Sequence, residues 1–152
     1  MDTQLRSQAE LINDHLEIIE DELNDFLDFT SIDKVLDSNH QVPIDYIQNI
    51  FREFRYLAVY CGEGKRAITK LIQTDQLEQN YVDRVYKGIY YKCVIEYFSP
   101  KDEIWTEDSR ASYRNKCSID FRDDPGEIIE QTMKKVEPSF HELREQLDYL
   151  DL

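Results

Sequence analysis

The sequence predicts an all-α protein: an antiparallel bundle of four main helices, one short extra helix and one long structured loop. Three observations predict it. Apolar residues recur at three- and four-residue spacing through most of the chain. Strand-like alternation is confined to Ser118-Ile119-Asp120-Phe121. The chain's 152 residues suffice for one sizeable core, with about 69% of the unfolded surface available for burial. Residues 1–152 therefore read as a single domain.

The first helix spans residues 4–28, where Leu5, Ala9, Ile12, Leu16, Ile19, Leu23 and Phe26 form one seam. Glu10, Asp14, Glu17, Glu20, Asp21, Glu22 and Asp25 make its opposite side acidic. Three heptads also suit a coiled-coil seam, so self-association through this helix is one open reading. A short helix follows at 31–37, with Ser31 or Thr30 as its N-cap. The segment Ser38-Asn39-His40-Gln41-Val42-Pro43 then breaks the pattern.

The second long helix is predicted from 44 to 73. Its seam of Ile44, Ile47, Phe51, Phe54, Ala58 and Cys61 meets Gly62-Glu63-Gly64 and resumes in phase at Ile68 and Ile72. Helix-interior glycines cost about 1 kcal/mol each, so a bend is predicted there. From Gln76 to Phe98 the apolar positions widen to include Tyr81, Val82, Val85, Tyr86, Ile89, Tyr90, Cys93, Val94, Tyr97 and Phe98. Such a helix belongs at the centre of the bundle.

Residues 99–124 lose periodicity, apart from the small strand at 118–121, and a connection of this length is often functional. After Asp124-Pro125 the last seam runs through Ile129, Met133, Val136, Phe140, Leu143, Leu147 and Leu150. Pro138 interrupts it without breaking phase. Either one kinked helix or two collinear helices satisfies that pattern.

The charge is unevenly spread. The chain carries 18 Lys and Arg against 32 Asp and Glu, a formal net charge of −14. Residues 1–38 account for −9 of it, whereas residues 39–98 are balanced at +1. This balance argues against phosphate-backbone binding, which needs clustered excess cation. The 12% aromatic content excludes a disordered acidic chain. The N-terminus lacks a basic region followed by an apolar run, and no stretch approaches the length needed to cross a bilayer. A cytoplasmic, non-membrane protein is the expectation. Cys61, Cys93 and Cys117 fit neither a disulfide framework nor a paired metal site. The first two read as core thiols and the third as a loop thiol beside Lys116.

No metal, cofactor or catalytic constellation emerges. His15, His40 and His141 stand alone, and Gly62-Glu63-Gly64-Lys65 has the wrong spacing for a phosphate loop. Glu96, Glu107 and Asp108 are conceivable general bases without a placed nucleophile. The one candidate site lies in the loop. There Trp105, Asp108, Ser109, Arg110, Tyr113 and Arg114 gather an aromatic, two guanidinium forks and hydroxyls. Arginine forks match carboxylate or phosphate, and an amphipathic Trp anchors interfaces. Equally, Trp105, Asp108 and Arg110 can tie the loop to the bundle.

The run from Cys93 to Tyr113, with Phe121 and Glu137-Pro138-Ser139-Phe140, resembles the YpuI-like family of small bacillar proteins along most of the chain. The loop carries the specific part of the likeness. The chain departs from the family pattern at Gly62-Glu63-Gly64, where an acidic pair is expected after the cysteine. The resemblance implies a bacterial cytosolic setting and supplies no activity or catalytic residues.

Two functions follow as expectations. The leading one is a non-enzymatic protein-interaction module using the 99–124 loop and an adjoining helix face. The alternative is a small anionic-ligand or enzymatic site around Trp105, Asp108, Arg110 and Tyr113.

Overall fold

Pairings between helices establish the architecture. The computed structural model describes residues 3–38, 41–74, 78–108 and 117–151. Helix α1 (Thr3–Phe29) is followed by the short α2 (Ile32–Ser38) and the long α3 (Ile44–Gln73). Next comes α4 (Gln79–Ile89), which runs without a break through a π-helical stretch (Tyr90–Ile95) into the single turn α5 (Glu96–Phe98). After the connection comes α6 (Glu127–Leu147), closed by a 3₁₀ turn (Asp148–Leu150).

Gln8 reaches the Gln146 carbonyl, His15 meets Ser139, and Glu22 pairs with Lys135, so α1 and α6 run antiparallel. Phe26 packs on Phe51 and Phe54 while Glu17 pairs with Lys65, which sets α1 antiparallel to α3. The π-helical stretch packs against both α3 and α6, so α1 and α4 face each other across the bundle diagonal.

The predicted seams are the core. Every seam residue of α1 from Ala9 to Phe26, and every one of α6 from Ile129 to Leu147, is buried. The exceptions are Ile44, which opens α3, and Tyr81 of α4, both exposed, with Leu5, Ile72 and Val85 half-buried. Ser31 caps α2, its Oγ accepting the Lys34 N–H at 3.1 Å. Pro138 sits inside one continuous helix, so α6 is a single element. The ring has no N–H to offer Lys134, and burial on both sides of it carries the helix through the missing bond.

Helix α3 also continues through Gly62-Glu63-Gly64. The two glycines serve close approach. A Cβ at Gly62 would coincide with the Glu20 carboxylate of α1. One at Gly64 would lie 3.0 Å from Ile89 Cγ1 of α4 and 3.3 Å from Leu16 Cδ1 of α1.

The π-helical stretch was not anticipated, yet it has a sequence cause. The pairs Ile89-Tyr90, Cys93-Val94 and Tyr97-Phe98 recur every four residues, and all six are buried. An α-helix of 3.6 residues per turn would rotate such a stripe by about 40° per repeat away from the core. Wider i→i+5 turns keep it facing inward.

Candidate functional site

The described residues of the connection 99–124 form a clamped pair of strands, a hairpin. Strands β1 (Trp105–Glu107) and β2 (Ile119–Phe121) pair antiparallel, with Trp105 opposite Phe121 and Glu107 opposite Ile119. The small strand expected at 118–121 is thus present and partnered, and Asp108 N–H donates to the Ser118 carbonyl at 2.6 Å.

Three anchors hold it to the helices. The Tyr46 hydroxyl of α3 donates to the carbonyl oxygen of Ile104 at 2.8 Å. It also accepts the Asp123 N–H at 3.2 Å, so one phenol grips both ends of the hairpin. Lys101 Nζ donates to the carbonyls of Glu96 and Ser99 and lies 3.7 Å from Glu53 Oε1. Burial pushes the Glu53 carboxyl up to about 8; Lys101 opposes this, and the neighbouring Glu96 adds to it. Burial likewise lowers Lys101 against the pull of Glu53 and Glu96.

The third anchor is Glu137 on α6, 6% exposed and invisible to reasoning from the seam. Its Oε2 accepts the Ser118 N–H at 2.8 Å. Its Oε1 accepts the Ile119 N–H at 3.2 Å and the Tyr97 hydroxyl at 3.0 Å. Burial pushes this carboxyl up, but hydrogen bonds from His141, Ser118 and Tyr97 outweigh it and hold the group below the ordinary carboxylate range. Two turns on, Arg144 pairs with Glu107 at 2.8 Å and lies 3.7 Å over the Phe98 ring. Glu137, His141 and Arg144 occupy one helix stripe, of which the sequence marks only Glu137, within the Glu137-Pro138-Ser139-Phe140 run of the family resemblance.

Of the two readings of Trp105, its burial matches the one in which it ties the loop to the bundle. It is 1% exposed, packed near Phe54, Tyr97 and Phe121, and its indole N–H donates to the Tyr97 carbonyl at 3.0 Å. A Trp this deeply buried needs a partner for its N–H, and the Tyr97 carbonyl supplies it. Ser109, Arg110, Tyr113 and Arg114 lie outside the described residues, as does His40. Asp108 is half-buried at the rim of a cleft.

That cleft, about 830 Å³, opens between β2 and α6. Ile119, Phe121, Met133 and Pro138 give it apolar walls; Asp108, Asp120, Glu130, Lys134 and Glu137 give it charge, and Cys117 also lines it. Burial and the Glu137 carboxylate push the Cys117 thiol up to about 11, which disfavours the thiolate at neutral pH.

Ser118, His141 and Glu137 do not form a hydrolytic triad. Ser118 Oγ and Glu137 Oε2 both lie on His141 Nε2, at 3.0 and 3.7 Å. Nδ1 faces the Arg144 guanidinium at 3.2 Å. Arginine only donates, so Nδ1 is the acceptor and Nε2 carries the proton. A histidine in that tautomer cannot take the serine's proton. Among the described residues no group of three or more His, Cys, Asp or Glu is placed to hold a metal ion. Among the described residues, no helix is long and apolar enough to cross a membrane.

A family model described as a protein of unknown function, DUF3907, matches residues 9–152. The chain is 26% identical to Bacillus subtilis (strain 168) YpuI over 149 residues, covering 97% of this chain and 82% of that protein. No solved structure matches.

Proposed function

The chain belongs to the DUF3907 family of proteins of unknown function, and from that footing we propose that it is a non-enzymatic, cytoplasmic protein-interaction module acting as a single domain. The partner docks along the cleft between β2 and α6. The observation that carries this is the pairing of an open cleft of about 830 Å³ with walls that are already fixed. Tyr46, Lys101 and Glu137 tie down the hairpin on one side, and α6 is core on the other. A preformed cleft spends little binding energy on ordering its own groups. Its apolar walls give a partner side chain somewhere to bury, and the charged rim gives orientation. The ligand or enzymatic alternative loses Trp105 as a lining residue, because that side chain faces the core.

The test is a photo-crosslinking side chain placed at Asp120 or Lys134 on the cleft, and at Gln73 as a remote exposed control, in bacterial cells. A discrete protein adduct from both cleft positions and none from Gln73 is the expected result. Equal labelling from all three positions would sink the proposal.

A further inference from the structure

Two helices on opposite sides of the bundle carry exposed faces of opposite charge. On α1 the exposed residues include Glu10, Asp14, Glu17, Asp21, Asp25 and Asp28, and no exposed cation. On α4 and the following π-helical stretch they include Arg84, Lys87 and Lys92, and no exposed acid. Because α1 and α4 are diagonal, these faces cannot meet within one chain.

Each face also has a shape. Ile18 projects from α1, 43% exposed, with Asp14, Asp21 and Asp25 one or two turns away on the same side. Glu17 and Glu22 lean aside to Lys65 and Lys135, which leaves that stripe outermost. On the other side a groove of about 230 Å³ runs between α3 and α4. Ala67, Val85 and Gly88 lie along it, and a Cβ built on Gly88 would meet nothing within 4 Å. Arg84 and Lys92 edge the groove on its α4 side, with Lys92 Nζ 5.3 Å over the Tyr60 ring, and Glu63 is the acid on its α3 side.

We propose that the α3/α4 groove receives the acidic α1 face of a second copy of this chain. Ile18 seats over Gly88, and Asp14, Asp21 and Asp25 meet Arg84, Lys87 and Lys92. The contact is head-to-tail: each copy offers α1 to one neighbour and the groove to another, so assembly continues beyond a dimer. This surface is separate from the β2–α6 cleft and does not depend on it.

The experiment is analytical ultracentrifugation of the full chain across a concentration series at low and high salt. Two variants accompany it: Ile18→Lys on the knob, and Arg84→Glu with Lys92→Glu on the groove. Circular dichroism of each checks that the exposed changes leave the fold intact. The wild type is expected to exceed the 18.2 kDa monomer mass, and to fall back at high salt. Each variant alone is expected to associate at least tenfold more weakly, since like charges now face each other. Mixed together, the two variants are expected to give a dimer that grows no further, because one keeps the groove and the other the knob. A wild type that stays monomeric throughout overturns the proposal. So does an assembly that neither variant weakens, or variants that do not pair on mixing, as when the groove binds some other acidic protein instead.

Discussion

The carboxylate of Glu137 on α6 receives the backbone N–H of Ser118 at 2.8 Å, and through its other oxygen that of Ile119 at 3.2 Å. A buried helix side chain therefore completes the hydrogen bonding of a two-stranded sheet too small to stand alone.

Glu137→Gln keeps the volume but replaces one acceptor oxygen with a donor facing those N–H groups. The loss is about 1.5–3 kcal/mol in denaturant unfolding at neutral pH, the range for hydrogen bonds to a charged group. The pH profile carries a sign. A carboxyl held below its ordinary 4.5 in the folded state adds stability above that pH and loses it as pH falls through the folded value. Wild-type stability should therefore drop on acidification below about 4.5, and the Gln variant should be flatter there.

Glu53 acts with the opposite sign. With its carboxyl raised from 4.5 to about 8, the folded protein holds a proton that the unfolded chain has released. That contribution is full below 4.5 and is lost as pH rises to about 8. Glu53→Gln removes the titration, each pK unit of which carries about 1.4 kcal/mol. Unfolding followed from mildly acidic to mildly alkaline pH should show a declining wild type and a nearly level variant. Parallel curves would mean that the carboxyl is not raised.

Cys117 should react slowly with a thiol reagent at neutral pH, because burial first and Glu137 second keep it protonated up to about 11. Glu137→Gln removes the second cause, so labelling of Cys117 should accelerate in that variant. Cys61 and Cys93, fully buried, should label only on unfolding in both proteins. Equal rates at Cys117 before and after the substitution would show that Glu137 does not govern the thiol.

The helices were legible because burial is periodic. Leu16, Ile47, Met133 and Phe140 announce themselves by spacing, and family resemblance pointed to the same loop. The hairpin was half legible: Ile119 and Phe121 alternate, but their partner Trp105 sits in a strand of three residues, below what period-two patterning can register. What spacing could not convey was direction. Trp105 has the composition of an anchor and the position of a core residue. Glu137 looks like one more surface acid until the hairpin is folded over it. Tertiary contacts between residues far apart in sequence decide both. The π-helical stretch is different in kind, since its cause, apolar pairs at a spacing of four, lies within the chain's own pattern.

The three helical glycines give the last prediction, because each meets a different environment. Alanine at any of them gains about 0.5–1 kcal/mol of helix propensity. At Gly88 nothing lies within 4 Å of the new Cβ, so the gain is realised and the protein is stabilised. At Gly62 the methyl displaces the Glu20 carboxylate, the free end of a flexible side chain whose pairing with Lys65 is long at 3.9 Å. Gain and loss there should nearly cancel. At Gly64 the methyl meets Ile89 Cγ1 at 3.0 Å and Leu16 Cδ1 at 3.3 Å, both buried branched side chains with little room to move. Overpacking of this kind costs about 1–3 kcal/mol, more than the propensity gain. Denaturation midpoints should therefore rank Gly88→Ala above wild type, Gly62→Ala close to it and Gly64→Ala below. A Gly64→Ala protein more stable than wild type would mean that α1, α3 and α4 do not approach each other at this glycine.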